Sequence, residues 1–337
     1  MITNMLQSVL SRLIMPVRRF QYATGLLRSR LRRGRYNADA PYRAVVYGLP
    51  NEMWHAFDMA FPEYEKVFAH DNCSLAELRG QLGKRHMAFI VFSEAPTRRV
   101  NLAIKNLNPT VFHLSMAPVP ILELSGTNVH GFVLDSIGSW IGARRPTELD
   151  LFLGSLDLSD RHATVKTAAG LLKKWQISSV KTDKVLIVPQ VKRSSSFDLD
   201  VAELDDGLLA LLEGVTEGNR VIFSSHVHDA WYSEAVLADF IHKVQDCRAV
   251  YVNDSPLGFI ALLLGKEVHV SGRPFWAGYG QTECSALIHR MRPLETKEIV
   301  AISVLILTRY VTSEGERVQL TSDYALPSGF ISTATDS

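Results

Sequence analysis

Residues Arg248–Cys284 read RAVYVNDSPLGFIALLLGKEVHVSGRPFWAGYGQTEC, and this stretch decides the fold class. Ala249–Val252 is a β-branched and aromatic run that predicts a strand. A polar turn and the apolar run Leu257–Leu264 follow, and Val268–Val270 predicts a second strand. Two such strands joined by a short helix form a βαβ unit, in which the crossover makes the strands parallel. Ser255 precedes the helix, where backbone N–H groups favour an anion, so the stretch predicts a phosphate site in an α/β protein.

Length and composition allow two ordinary domains and argue against several functions. The chain has 337 residues, 47% hydrophobic and 21% charged, and a net charge of +1 that gives no case for nucleic acid. Cys73, Cys247 and Cys284 show no CxxC spacing, which indicates neither a disulfide framework nor a zinc site and fits a reducing, cytoplasmic compartment. No apolar run reaches the roughly 20 residues that a membrane span needs. We expect no cofactor and no metal.

Residues 1–38 differ from the rest of the chain. They contain eight arginines and no acidic residue before Asp39, and their apolar residues recur at helical spacing up to a break at Pro16. This pattern predicts a basic amphipathic segment that lies on the anionic inner face of the cytoplasmic membrane. A disordered leader and a helix that docks on another protein are the alternatives.

The remaining chain alternates strands and helices, which predicts doubly wound sheets. We divide it into a basic segment 1–40, a first domain 41–182, a second domain 183–312 and a tail 313–337. The predicted strands are Ala44–Tyr47, Ala88–Phe92, Val111–Leu114, Val129–Asp135 in a hairpin-like pair with Trp140–Ile141, Val185–Val188 and Val221–Ser224. The predicted helices are Glu52–Phe61, Arg98–Asn106, Asp157–Lys174, an acidic amphipathic Asp198–Glu213 and Glu295–Arg309.

Two patterns inside the opening stretch resemble a known family. Ser255–Val268 fits S-x-x-G-F-x-A-L-L-x-G-K-x-V, and Gly272–Thr282 fits G-x-P-F-[YW]-A-G-[YW]-G-x-T. Both are similar to the bacterial capsule-polysaccharide Kdo transferases, which are retaining glycosyltransferases that use CMP-Kdo. The resemblance implies a GT-B-like fold, with two Rossmann-like domains facing a cleft. It also implies a CMP-sugar donor, a lipid-linked or polysaccharide acceptor, and work at the inner face of the cytoplasmic membrane.

The resemblance also suggests which residues hold the nucleotide sugar. They are His226, Ser255, Gly258, Gly272, Phe275, Trp276, Gly278, Tyr279 and Gly280. His226 matches a family histidine that donates to the nucleotide phosphate. A metal pair of His226 with His228 is an alternative, although no third ligand stands at a readable spacing. The three aromatic rings can line a base or sugar pocket, or they can pack as a loop between domains.

The family's catalytic carboxylates are absent. Their positions hold Ser115, Pro189 and Ile260, although retention of configuration calls for a carboxylate on the sugar's far face. The possible stand-ins are Glu94, Glu123, Asp135 and Asp229. Glu123 lies eight residues after Ser115, so a turn or helix would have to bring it back. Two functions stay open: a CMP-sugar-dependent glycosyltransferase of capsule or surface polysaccharide, and a catalytically inactive relative that binds or scaffolds.

Overall fold

The computed structural model describes fourteen stretches of the chain. They are residues 42–70, 73–82, 87–92, 97–107, 109–124, 127–138, 147–177, 182–192, 201–204, 206–223, 234–280, 282–284, 292–312 and 314–326. Several predictions therefore lie outside the described residues, namely the basic segment 1–38, Glu94, Trp140–Ile141, His226, His228 and Asp229.

The described chain contains fourteen strands in two main sheets and one ribbon. The strands are β1 (Tyr42–Tyr47), β2 (Tyr64–Ala69), β3 (Met87–Phe92), β4 (Thr110–Leu124), β5 (Thr127–Asp135), β6 (Val185–Val188), β7 (Gln190–Lys192), β8 (Val201–Glu203), β9 (Arg220–Ile222), β10 (Ala249–Val252), β11 (Glu267–Val270), β12 (Glu283–Cys284), β13 (Arg309–Thr312) and β14 (Arg317–Val318).

Helices connect these strands. They are α1 (Trp54–Ala60), α2 (Leu75–Leu82), α3 (Thr97–Leu107), α4 (Glu148–Ser155), α5 (His162–Trp175), α6 (Asp206–Leu211), α7 (Glu234–Gln245), α8 (Leu257–Leu263), α9 (Thr296–Val300), two 3₁₀ turns at Asn51–Met53 and Glu217–Asn219, and a π-helix at Ala301–Ile306.

The first sheet has seven strands in the order β14-β13-β5-β4-β3-β1-β2. Its β2-β1-β3-β4 part is parallel, and β5, β13 and β14 add antiparallel strands at one side. Successive side chains point to opposite faces, so Val45 packs in one cluster with Leu78 and Ala103, and Val46 packs in another with Phe57. The sheet is therefore covered on both faces, as the alternating pattern predicts.

Strand β4 is longer than predicted and contains two prolines. The expected strand Val111–Leu114 continues to Leu124, with a register shift between Met116 and Ile121 in its pairing with β5. Pro118 and Pro120 lie inside this irregular part, where no ladder hydrogen bond needs their missing N–H. Strand β5, the predicted Val129–Asp135, therefore has β4 on one side, and β13 lies on its other side.

The second sheet has five parallel strands in the order β12-β11-β10-β6-β9. The predicted strands at 185–188 and 249–252 appear with unchanged bounds. The predicted acidic helix Asp198–Glu213 is wrong in its first half, because Val201–Glu203 pairs antiparallel with Gln190–Lys192. Only Asp206–Leu211 is helical, and its Leu208 packs under the sheet with Ile187.

The end of the chain returns to the first sheet. The predicted helix Glu295–Arg309 is present as α9 and then widens into the π-helix. Residues 309–312, which we placed in the second domain, form β13 and pair with β5. One hydrophobic cluster joins Val119 and Val133 of the first sheet to Phe259 and Trp276 of the second. Within the described residues, none of the helices combines the length and the apolar character that crossing a membrane requires.

Candidate functional site

The strand order of the second sheet places the predicted site loops together. Read from β9, the order is second-first-third-fourth-fifth strand of the sheet, which is the doubly wound order with a switch point between the first and third strands. Those strands are β6 and β10, and their last residues Val188 and Val252 are register partners. Ligands of such sheets bind at the carboxyl ends of the strands beside the switch point. Pro189 and the turn Asn253–Ser255 follow directly there.

Ser255 begins the short connection into α8. Its hydroxyl oxygen accepts a hydrogen bond from Leu257 N at 3.3 Å, and its carbonyl accepts one from Gly258 N at 3.0 Å. The side chain stays half-buried at the sheet edge, whereas every residue of α8 is buried. Ser255 thus lies in the turn between β10 and α8, and its hydroxyl caps that turn.

Gly272 is required by a close approach between the loops that follow β10 and β11. A Cβ atom at Gly272 would lie 2.1 Å from the Asp254 Oδ1 atom and 2.6 Å from the Asn253 Oδ1 atom. The same Asp254 oxygen accepts a hydrogen bond from Arg273 N at 2.5 Å. The carboxylate of Asp254 therefore ties two loops of the site together.

Gly258 is required by the ring of Trp276. A Cβ atom at Gly258 would lie 2.6 Å from two atoms of that ring and 2.8 Å from Val252. Trp276 is fully buried, and among the described residues its Nε1 atom has no hydrogen-bond partner. The loop after β11 is thus anchored to the first turn of α8 by an aromatic ring, with one indole N–H left as an unused buried donor.

The other aromatic residues of this loop also pack inward. Phe275 and Tyr279 are each 2% exposed, and the Phe275 ring lies 5.2 Å from the ring of Phe259. Gly278 and Gly280 adopt φ of 83° and 97°, a left-handed backbone that side chains other than glycine rarely tolerate. The burial of the three rings and the contacts of Phe275 and Trp276 therefore support a role in packing this loop against α8.

Lys266, a position of the first motif that we did not interpret, has a structural role. Its ammonium group donates to Gln245 O at 3.1 Å and Cys247 O at 2.7 Å, at the end of α7. Burial lowers the pKa of Lys266. The motif thus contains residues that build the βαβ unit as well as residues that reach its edge.

The three positions without carboxylates are buried. Ser115 is 1% exposed and lies one residue past the carboxyl end of β3, because Phe92 pairs with Leu114. Pro189 is buried directly after β6, and Ile260 is 2% exposed inside α8. Pro189 and Ile260 carry no side-chain group that could replace a carboxylate, and Ser115 offers a hydroxyl in its place.

Asp135 is the stand-in that lies nearest to Ser115 in the sheet. Strand β5 pairs Val133 with Ser115 and Asp135 with His113, so Asp135 shares their face. Its Oδ1 accepts from Ile137 N at 2.7 Å and Gly138 N at 3.0 Å.

The second carboxylate oxygen of Asp135 accepts hydrogen bonds from the first two backbone N–H groups of α4. Its Oδ2 accepts from Glu148 N at 2.7 Å and Leu149 N at 3.4 Å. Burial raises the pKa of Asp135 to about 7, against the lowering effect of the N–H donors of Gly138, Ile137 and Leu149, and the Glu148 charge raises it further. Asp135 therefore joins a strand end to a helix start.

Glu123 does not return to Ser115. Both lie on β4, and eight residues of extended chain separate them by roughly 25 Å, less a small contraction at the irregularity. The backbone of Glu123 instead forms a bridge with Ala325 through two hydrogen bonds of 2.8 Å. The turn or helix that would have to bring Glu123 back towards Ser115 is not present, because β4 is extended between the two residues.

Sequence reasoning missed Glu148, which lies beside Asp135. Its carboxylate accepts from the Ser136 hydroxyl at 2.8 Å and from Ser136 N at 3.1 Å. Thr147 and Asp150 form a capping box at the start of α4, and the run Thr-Glu-Leu-Asp carries its signature. That signal could have placed a helix start, and its acidic first turn, at this edge.

Comparisons with known proteins agree with this geometry. The family model described as "Capsule polysaccharide biosynthesis protein" matches residues 228–308. The capsule polysaccharide modification protein LipA of Neisseria meningitidis serogroup A is 27% identical over 213 residues, which are 53% of this chain and 30% of that protein. LipA of serogroup B is 26% identical over 216 residues, with shares of 54% and 30%. The chain thus spans less than a third of the length of these relatives.

Two solved structures share the fold. The beta Kdo 2,7 transferase of Thermosulfurimonas dismutans KpsC has a TM-score of 0.57 at 21% identity, covering 83% of this chain and 96% of that one. The beta Kdo 2,4 transferase of the same KpsC has a TM-score of 0.55 at 17% identity, covering 85% and 97%. The segment that matches the capsule polysaccharide biosynthesis family model, residues 228–308, thus contains the strands β10 and β11 and the loops that converge at one edge of the second sheet.

Proposed function

We propose that this chain binds a CMP-sugar at the carboxyl edge of its second sheet and acts as a Kdo-type glycosyltransferase in capsule polysaccharide biosynthesis. The observation that carries the proposal is the convergence at the switch point. Ser255 follows β10, the Gly272–Gly280 loop follows β11, and Asp254 ties the two loops together. His226 lies outside the described residues and is proposed as a phosphate ligand from the motif that it matches.

The same proposal includes a two-domain architecture. Both main sheets contain a parallel part in the second-first-third-fourth order, which is the topology of a Rossmann-like unit. We propose that the units face each other across a cleft, as in GT-B enzymes, with boundaries near 41–182 and 183–312. The return of β13 to the first sheet supports two units held together by the end of the chain.

The proposed transferase function also suggests an acceptor and a cellular location for the protein. A lipid-linked or polysaccharide acceptor would enter from the side of the first sheet. The eight arginines of residues 1–38 support attachment to an anionic membrane surface on the cytoplasmic side. Both are proposals that rest on the transferase function.

A second candidate function is donor binding without turnover, in a scaffold or regulatory subunit. Buried, uncharged side chains at Ser115, Pro189 and Ile260 favour it. Asp135 favours it as well, because four backbone N–H groups occupy its oxygens.

Calorimetric titration of the full chain with CMP and then with CMP-Kdo tests the donor site. We expect micromolar binding that weakens about tenfold or more in Ser255→Ala and His226→Ala, since a charge-assisted hydrogen bond to phosphate contributes about 1.5–3 kcal/mol. Arg98→Ala, an exposed change on α3, is the matched control and leaves binding unchanged.

Release of CMP in the presence of an acceptor separates the two candidates. Binding together with CMP release supports the transferase, and binding without release supports the silent subunit. A folded protein that takes up neither ligand refutes the donor site and both functions that rest on it.

A further inference from the structure

A second concave surface lies away from the proposed donor site. It is a cavity of about 620 Å³ between the first turns of α5, the end of the π-helix and the strands β13 and β14. Its volume is in the range of small-molecule sites. The lining includes no residue of Arg248–Cys284, so neither the proposed donor site nor its motifs account for this cavity.

The wall of this cavity is positively charged. Arg161, Arg309 and Arg317 line it, and no acidic residue is among the described residues of the lining. Glu63 lies behind two of them, with its oxygens 2.5 Å from Arg309 Nη1 and 3.4 Å from Arg317 Nη2. One carboxylate balances only one of three guanidinium charges, so the cavity favours an anion.

Two of the guanidinium groups are held in place before any ligand binds. Arg309 donates to Ala60 O at 3.1 Å and stacks on the Phe61 ring at 4.4 Å. Arg317 donates to the same carbonyl at 3.0 Å. Their side chains remain 43% and 52% exposed, so each keeps N–H groups for a ligand. Such fixed forks lose little conformational entropy on binding a carboxylate or phosphate.

Arg161 is different, because its backbone is fixed while its guanidinium is unused. Its N–H donates to Leu158 O at 2.9 Å where α5 begins. No hydrogen bond or ion pair joins its side chain to another residue in the described part of the chain. Arg161 therefore provides a long cationic arm at the mouth of the cavity.

The rest of the lining combines polar and apolar groups. Thr164 and the exposed Gln319 contribute polar side chains to the lining, while Leu305 and Ile306 contribute partly buried apolar side chains. The π-helix sets this wall, with Leu307 N donating to Ile302 O at 3.0 Å, and such turns are frequent at functional sites. A lining that combines hydroxyl and amide groups with apolar side chains suits a sugar ring, because the faces of the ring are apolar and its hydroxyl groups are polar.

We propose that this cavity binds an anionic sugar unit of a glycan chain, with its carboxylate or phosphate on Arg161, Arg309 and Arg317. A nucleotide base fits less well, because Tyr310 is the one aromatic residue in the described lining and it is buried with its hydroxyl donated to Val119 O. The site is independent of the donor site and would hold a glycan beside the sheet that the acceptor approaches.

Titration of the full chain with four probes tests the proposal. Kdo carries a carboxylate, glucose 6-phosphate carries a phosphate, maltotriose is a neutral glycan, and inorganic phosphate is a bare anion. We expect the two anionic sugars to bind, the tighter one identifying the preferred anion, and both to bind at least tenfold more tightly than maltotriose or phosphate. Hydrogen exchange should slow in residues 161–167 and 304–309 when they bind.

Variants at the cavity mouth decide the location of binding. Arg161→Ala should weaken the anionic sugars about tenfold, Arg161→Lys should weaken them less, and Arg98→Ala should have no effect. Unchanged affinity in Arg161→Ala overturns the proposal, as does equal binding of maltotriose or of inorganic phosphate. CMP binding should stay the same in Arg161→Ala. A wild type that fails to bind CMP would overturn the donor site alone.

Discussion

Gly272 has no side chain, and this allows the loops after β10 and β11 to approach each other closely. A Cβ atom there would overlap the Asp254 carboxylate, which has no room to move while it accepts the N–H of Arg273. We expect Gly272→Ala to lower the free energy of unfolding by about 1–3 kcal/mol, as overpacking does. Denaturant titration measures this cost, and calorimetry should show weaker CMP binding because the two site loops separate.

Gly218→Ala is the matched control for this prediction. No atom lies within 4 Å of a Cβ built at Gly218, so its stability should stay within about 0.5 kcal/mol of wild type. Equal stability of the two variants would show that the Asp254 contact is not rigid.

For individual residues, the sequence predicted that Ser255 and Gly272 lie at one edge of a sheet. It did not predict which atoms most of the candidate residues contact. Ser255 and Gly272 stand at the edge that the motif indicated. The packing of Phe275, Trp276 and Tyr279 could not be predicted, because a glycine–aromatic pattern is the same for a pocket and for a packed loop. The donor that binds the Asp254 carboxylate could not be predicted for another reason: Arg273 N is nineteen positions away in the sequence.

At the scale of elements, the start of α4 depends on one buried carboxylate. Asp135→Asn replaces one oxygen with an amide group that faces backbone donors, so we expect a loss of about 1–3 kcal/mol in the free energy of unfolding. The folded-state pKa of Asp135, about 7, lies above its ordinary value of 3.8. The folded state therefore binds the proton more tightly, and this contribution to stability is lost as pH rises towards 7.

The pH dependence of that loss is the sharper test. Asparagine does not titrate, so the stability advantage of wild type over Asp135→Asn should be larger at pH 5 than at pH 8, measured by denaturant titration at each pH. Thr147→Ala, which removes the threonine side chain that caps the same helix and leaves the Asp135 carboxylate in place, should lower stability by the same amount at both pH values. An advantage that grows with pH would show that the N–H donors outweigh burial.

Elements with a distinctive local sequence were predicted well. Elements that depend on pairing with a distant segment were not. The short buried strands at 185–188 and 249–252 are recognisable from their β-branched runs alone. The segment 201–203 has acidic neighbours that fit a helix, yet it pairs with a strand ten residues earlier in the chain. Strand β4 continues through two prolines because the irregular pairing with β5 needs no N–H from them.

At the scale of the whole molecule, Tyr310 connects the end of the chain to both sheets. Its ring packs over Gly131, where a Cβ atom would lie 2.6 Å from it, and its hydroxyl donates to Val119 O at 3.1 Å. The ring belongs to the same hydrophobic cluster as Phe259 and Trp276 of the second sheet. The sequence did not predict this link, because it assigned residues 309–312 to the second domain and no periodicity reports a return to the first.

This shared cluster predicts that the two sheets unfold together. Tyr310→Ala should lower the free energy of unfolding by about 3–5 kcal/mol, as large core truncations do, whereas Tyr310→Phe should cost about 1 kcal/mol for the lost hydrogen bond. Native-state hydrogen exchange should then accelerate in β10 of the second sheet as well as in β5 of the first, since one cluster stabilises both. Acceleration confined to β5 would mean that the two sheets open independently. The pairing of β13 with the first sheet would then not stabilise the proposed donor site.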